Sequence, residues 1–384
     1  MVRRSTRIII CLSCISIFVS SVFLLEVNLL FQKSRNSVVT DVYVGIDATF
    51  STVQDMKIVI DKVKSYTNFF IIGSTAITND FSNITQVCEY LNKINLPFLT
   101  YAHPAAGLNF SQIRWFKDAR NSYPFTFQGL YAYDEPGGHQ IDHDYWFMCA
   151  QEASNHFDAS ITYVANLTKY LDGIKVGWET ELFPLFVSDY ALYEYDYRAG
   201  YDVVLTEFAW NQSRQLNVAL CRGAAVMNGK DWGVMITGGK NDSTFQTGQE
   251  VFDDMVLAYQ NGAKYILLFD YPNFGDGLLK QEHFDALRDF WHYIQKNPRE
   301  KILSSDKIAY VLPKDYGYGF RGDTDKIWGL WEADSNSAKI WQDVLGLVQQ
   351  YGFRLDIVYE DCVGIRESYN KLVFWNGTEL DRFS

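Results

Sequence analysis

From Asp41 onward the chain repeats one unit, a short apolar run rich in β-branched and aromatic residues followed by a longer amphipathic stretch. Unbroken apolar runs of this kind read as parallel strands buried on both faces, because a half-exposed strand would alternate with polar residues. The runs span residues 42–50, 69–75, 97–103, 127–134, 182–189, 202–210, 232–237 and 264–271. Pro184 interrupts the fifth, and a long helical region precedes it. Between the runs, Phe252, Met255, Val256 and Tyr259 mark one helical stripe, and Phe284, Leu287, Trp291 and Ile294 mark another. Asn228-Gly229 and Asn261-Gly262 stand where helix C-caps belong, just before the next run.

Eight strand–helix units in about 260 residues have the rhythm of a (β/α)8 barrel, an α/β fold, here spanning residues 41–298. A doubly wound open sheet is the alternative. It would be favoured by a Gly-rich dinucleotide fingerprint after the first strand, and none follows Phe50. Asn297-Pro298 ends the eighth helix. Beyond it, residues 307–312 and 354–359 read as strands flanking a helix over 337–351, with 371–375 as a third strand. Residues 299–384 therefore form a small α/β accessory domain, too short for a complete doubly wound one.

Arg3, Arg4 and Arg7 precede an apolar stretch from Ile8 to about Leu25. A basic start followed by such a run is what a signal peptide or signal anchor requires. No small-x-small cleavage site follows, and the run passes into Glu26, Asn28, Lys33 and Arg35. Residues 1–40 accordingly read as an uncleaved anchor and linker. The membrane is then a partner through this segment, and the body lies outside the cell membrane. A cleaved signal would leave the body secreted. Six N-x-S/T sequons, at Asn83, Asn109, Asn166, Asn211, Asn241 and Asn376, agree with export and glycosylation.

The net charge of −12, with no basic stripe in the body, excludes nucleic acid as a partner. Outside the apolar segment, Cys88, Cys149, Cys221 and Cys362 are widely spaced and form no CxxC pair. Thiolate metal binding is not indicated. The first three fall in expected helices as small buried residues, and disulfides are left open. No P-loop or nucleophile elbow occurs, and no cofactor is implied. Aromatic residues make up 16% of the chain, which suits flat rings stacking on sugars as well as a large core.

In a (β/α)8 barrel the chemistry lies at the C-terminal strand ends. Those ends hold Asp47, Ser74-Thr75, Tyr101 and His103, Asp134-Glu135, Asp189, Glu207 through Asn211, Thr237 and Asp270-Tyr271. Acids dominate, with aromatics and amides between them. Cleaving a glycosidic bond needs this palette: two carboxyls, one protonated and one ionised, beside a sugar held by rings and polar side chains. The sharpest feature is Tyr133-Asp134-Glu135-Pro136-Gly137-Gly138. Adjacent carboxylates there repel, which raises one pKa as a general acid requires.

Asp134-Glu135-Pro136 resembles the Asn-Glu-Pro that ends strand four in clan-A glycoside hydrolases, where the Glu is the acid/base. A barrel followed by an α/β domain also resembles β-galactosidases with an amidotransferase-like second domain. The resemblance implies a glycoside hydrolase with Glu135 as acid/base. It also implies a nucleophile at the end of strand seven, where Val234-Met235-Ile236-Thr237 carries no carboxylate. Glu207 is the best second carboxylate, as nucleophile or as base for water. Trp210 offers a sugar platform, and Asn211 or Arg214 could bind hydroxyls. Asp47, His103, Tyr133, Asp134, Asp270 and Tyr271 complete the substrate-binding set for a carbohydrate or glycan. Three further readings accompany this one. A glycan-binding or cell-envelope barrel could have lost its second carboxylate. His139 and His143, four apart, could ligate a metal. The aromatic, Gly-rich stretch 314–331 could reach over the barrel mouth or serve inter-domain packing.

Overall fold

A computed structural model describes residues 41–102, 110–144, 148–176, 183–241, 244–273, 276–299 and 307–382. The expected signal anchor lies outside these residues. Among them no helix is long and apolar enough to cross a membrane.

All eight apolar runs are strands: β1 (Tyr43–Ala48), β2 (Phe69–Ile72), β3 (Phe98–Ala102), β4 (Phe127–Ala132), β5 (Leu185–Asp189), β6 (Val203–Phe208), β7 (Asp231–Ile236) and β8 (Tyr265–Asp270). Each pairs in parallel with its sequence neighbours, and β1 pairs with both β2 and β8, which closes the ring. Pro184 bounds β5 instead of breaking it. It lacks an N–H but still offers its carbonyl to Leu130 N at 3.1 Å.

The intervening helices are α1 (Val53–Val63), α2 (Phe81–Lys93), α3 (Phe110–Ser122), α4 (Pro136–Ile141), α5 (His156–Val176), α6 (Tyr193–Ala199), α7 (Arg214–Asn228), α8 (Gly248–Gln260) and α9 (Gln281–Lys296). Local chemistry sets their ends. Thr247 and Glu250 form a capping box at the start of α8, and Gly229 closes α7 in the left-handed region at φ 61°.

Strand residues alternate between two apolar layers. Val44, Ile46, Leu185, Val187, Ile266 and Leu268 face the helices. Phe69, Ile71, Leu99, Tyr101, Tyr131, Phe186, Leu205, Met235 and Leu267 fill the barrel interior. Its floor is aromatic, with Tyr43 stacked on Tyr265 at 4.9 Å and Phe186 set edge-on to Tyr265 at 5.0 Å. The barrel is thus filled from below, and only the C-terminal ends of the strands are free to present polar groups.

A second sheet follows, from β9 (Ile308–Leu312), α10 (Ser335–Tyr351), β10 (Leu355–Tyr359), β11 (Lys371–Phe374) and β12 (Glu379–Asp381), in the order β10-β9-β11-β12. The antiparallel β12 was not expected. It returns through Asn376-Gly377, with Gly377 at φ 87°. Arg222 of α7 joins this sheet to the barrel: its Nε lies 2.7 Å from Asp356 on β10, and both side chains are buried. The close approach of α7 requires Gly223, since a Cβ there would lie 2.4 Å from Ile357 O. Cys88 and Cys221 are buried in helices as expected, whereas Cys149 lies in a turn before α5; among the described residues no disulfide joins Cys88, Cys149, Cys221 and Cys362.

Candidate active site

Above the apolar filling, the inward-facing positions turn polar. Asp47 on β1, Ser188 on β5 and Glu207 on β6 continue the series that lower down holds Tyr43, Phe186 and Leu205. Tyr131 of β4 reaches the same level. Ser188 Oγ lies 2.6 Å from Glu207 Oε1, 3.1 Å from Asp134 Oδ1 and 2.9 Å from Tyr131 OH. Tyr131 OH also donates to Asp134. One connected set of hydrogen bonds therefore runs from the rim acid Asp134 down to Glu207.

Glu135 enters this set through a tight turn. After β4 the chain adopts left-handed backbone at Tyr133 (φ 73°) and again at Glu135 (φ 50°), which is the N-cap of α4 with Pro136 as its first residue. The Glu135 N–H donates to Ser188 O at 2.9 Å. Behind it, Asp189 accepts Gly137 N–H at 2.6 Å and Gly138 N–H at 2.8 Å, satisfying donors that a helix start leaves free. The two glycines serve contact. A Cβ on Gly137 would lie 2.4 Å from Ala191 O, and one on Gly138 would lie 2.2 Å from the Tyr190 ring.

Glu135 and Glu207 stand close enough at the mouth for each carboxyl to act on the other. Burial, and then the Asp134 charge, push Glu135 up to about 7. Burial, and then the Glu135 and Asp134 charges, hold Glu207 well above the usual carboxylate range. Among the described residues no salt bridge reaches Glu135 or Glu207. Asp189 likewise rises to about 7, mainly through burial, and its charge adds to the burial that raises Asp196 on α6.

The other expected site residues divide into two groups. Trp210 and Tyr271, at the ends of β6 and β8, are half-exposed, at 51% and 52%. Trp210 holds left-handed backbone at φ 50° and donates its N–H to Gly239 O at 2.6 Å. Asn211 beside it is exposed. Arg214 is committed to Asp254 at 3.2 Å and to Ala209 O at 2.7 Å, so it anchors this loop. Asp47 is buried in the polar layer.

Asp270 departs from expectation. Phe269 belongs to the interior set, so the alternation turns Asp270 toward the helices, where it accepts Leu279 N–H at 3.2 Å. Tyr133 also turns away, its ring packing on Tyr170 of α5 at 5.8 Å. His103 lies outside the described residues. His139 Nδ1 sits 3.1 Å from Asp144, while His143 Nδ1 meets Gly329 O at 3.0 Å. Among the described residues no group of three metal-capable side chains converges.

Stretch 314–331 packs against α4, the helix that Glu135 begins. Gln140 Nε2 donates to Trp328 O at 2.8 Å, Arg321 pairs with Asp142, and the buried Trp328 ring lies 4.6 Å from that of Tyr195. Tyr131, Ser188 and the capping role of Asp189 escaped the sequence reading. The signal that would have found them is strand parity, inward for Tyr131 and Ser188 and outward for Asp189.

No family model matches the chain, and no curated protein matches it. Solved structures with the same fold include GH5_18 from Streptomyces cattleya, in complex with GlcNAc, at TM-score 0.59 and 10% identity over 88% of this chain and 99% of that one. β-Galactosidase from Bacillus circulans sp. alkalophilus matches at TM-score 0.56 and 11% identity, covering 87% of this chain and 67% of that one. β-Galactosidase from the psychrophilic Marinomonas ef1 matches at TM-score 0.52 and 10% identity, over 86% and 71%. What this chain shares with these structures is the fold, a closed (β/α)8 barrel.

Proposed function

We propose that the protein is a glycoside hydrolase or a related glycan-processing enzyme, working outside the cytoplasm and tethered through its N-terminal apolar segment. The observation that carries the reading is the set of hydrogen bonds at the barrel mouth that links Glu207 through Ser188 to Asp134, beside the turn that carries Glu135, with each glutamate acting on the other. Retention goes with a carboxyl separation of about 5 Å and inversion with about 6.5–9.5 Å, and a close mutual influence of the two acids favours the first. The reading is a retaining double displacement. Glu135, at the less buried rim, is the acid/base, and Glu207, deeper and held by Ser188, is the nucleophile.

The reaction needs Glu135 protonated and Glu207 ionised, and the burial that lifts Glu135 to about 7 suits it to the first role. Glu207 Oε then bonds to the anomeric carbon as the glycosidic C–O bond breaks, and Glu135 protonates the departing oxygen. Water enters, loses its proton to Glu135 and displaces Glu207, which restores both carboxyls. Trp210 and Tyr271 offer exposed aromatic faces to the sugar.

The test uses the full-length protein on a panel of glycosides that includes aryl glycosides with activated leaving groups. Glu207→Gln should abolish turnover of every substrate. Glu135→Gln should still release activated leaving groups in a first-turnover burst, since these need no protonation, and then turn over slowly because water has lost its base. Both variants hydrolysing like the parent protein would sink the assignment. The β7 end, Ile236-Thr237, carries no carboxylate and favours a second reading, a glycan-binding barrel without chemistry. That reading holds if sugars bind and the panel stays intact.

A further inference from the structure

Six N-x-S/T sequons run along the body, and the proposed function leaves them unassigned. Those at Asn109 and Asn241 reach outside the described residues. A sequon works through two groups, the Asn amide and the hydroxyl two residues on. Three of the remaining four have that hydroxyl tied into the fold. Thr85 Oγ1, inside α2, donates to Phe81 O at 2.7 Å and accepts Trp115 Nε1–H at 2.9 Å. Thr168 Oγ1, inside α5, donates to Ala199 O at 3.1 Å, and its partner Asn166 donates Nδ2–H to Cys149 O at 2.6 Å. Ser213 is the N-cap of α7 and accepts Leu216 N–H at 3.4 Å.

Asn376-Gly377-Thr378 differs from all three. The three residues are exposed and form the turn between β11 and β12. Gly377 N–H donates to Phe374 O and Phe374 N–H donates to Thr378 O, both at 2.8 Å, which closes the hairpin beneath them. Asn376 Oδ1 accepts Thr378 N–H at 2.9 Å, an Asx turn that holds the amide and the threonine together. That bond uses the amide oxygen and leaves the nitrogen. Among the described residues no hydrogen bond engages Asn376 Nδ2 or Thr378 Oγ1.

Resting on the reading of the body as extracytoplasmic, we infer that Asn376 is an N-glycosylation site and that Asn83, Asn166 and Asn211 stay unmodified. The donor is an oligosaccharide joined to a lipid phosphate, delivered by an oligosaccharyltransferase of the export route. Asn376 Nδ2 bonds to the anomeric carbon as the bond from that carbon to the phosphate oxygen breaks. The lipid phosphate leaves with the electron pair, and one amide proton passes to a base of the transferase. The product keeps the Asx turn, because that turn needs only the amide oxygen. A bare Asn211 keeps the mouth beside Trp210 open.

The test expresses the full-length protein in a host whose export route carries an oligosaccharyltransferase and maps its peptides by mass spectrometry. The peptide of residues 372–382, released by cleavage after Lys371 and Arg382, should gain the mass of a glycan. Asn376→Gln and Thr378→Ala should each lose that mass, and Thr378→Ser should keep it. These positions are exposed in a turn, so the variants should fold. Peptides holding Asn83, Asn166 and Asn211 should run at their bare masses. Glycan on any of those three at the level of Asn376, or on another sequon while Asn376 is bare, overturns this inference alone. So does a chain bare throughout whose body is digested by protease added to intact cells, since that body already lies outside. A bare chain that the protease cannot reach overturns the inference together with the extracytoplasmic reading.

Discussion

Ser188 holds its hydroxyl 2.6 Å from the Glu207 carboxylate, so the end of one strand supports the acid of the next. This hydrogen bond favours the ionised form of Glu207. Ser188→Ala should slow turnover by roughly tenfold, in line with about 1.5–3 kcal/mol for a hydrogen bond to a charged group, discounted for the remaining contacts. The acid limb of the pH–rate profile should also move to higher pH. An unchanged profile would remove Ser188 from the mechanism.

The seat of Glu135 depends on how closely α4 packs on the β5 end. Gly138→Ala places a methyl group 2.2 Å from the Tyr190 ring and should destabilise the fold by about 1–3 kcal/mol in urea titration. Asp189→Asn turns an amide N–H toward the helix N–H groups and should cost a similar amount. Both variants should lose turnover more than sugar affinity. The opposite split would mean that the turn binds substrate without positioning the acid.

Stability should fall as pH rises through neutrality. Glu135 and Asp189 bind protons more tightly folded than unfolded, at about 7 against 4.5 and 3.8. Their contribution is therefore complete below the unfolded values and is lost as pH rises through about 7. Thermal unfolding should show a lower Tm at pH 8 than at pH 5. The decrement should shrink in Glu135→Gln, which cannot ionise. A Tm that rises over this interval by the same amount in both proteins would contradict the assignment.

Arg222→Met should be among the most damaging substitutions away from the mouth. Among the described residues it leaves the buried Asp356 with Lys307 at 3.6 Å and Tyr369 OH at 3.0 Å. Removing one partner of a buried ion pair costs about 3–5 kcal/mol. Double substitution of Arg222 and Asp356 by apolar residues should recover part of that loss in urea titration.

The barrel was legible because buried parallel strands are written as unbroken apolar runs, and even Pro184 fell where a strand begins. The placement of Glu135 and Glu207 on one rim was legible from strand order, since each closes or follows a barrel strand at its C-terminal end. Side-chain direction was harder to read. Asp270 and Asp189 sit at strand ends like Glu207, yet each falls one residue out of phase with the inward set. Ser188 went unnoticed because a lone serine in an apolar strand carries no chemical signal until its neighbours are known. The packing of 314–331 on α4 could not be read at all, since contacts across nearly two hundred residues leave no local pattern (Gln140 to Trp328 is the example).

Every side chain proposed to act at the mouth is encoded before residue 272, but the grip of Trp328 and Gly329 on α4 comes some sixty residues later. Chains emerge from the ribosome N-terminus first, and early elements begin to fold before later ones exist. The barrel can therefore close while the helix behind Glu135 still lacks its outer support. During synthesis the Glu135 turn is braced only after every barrel strand has emerged, so an ordered mouth should arrive later than the barrel itself.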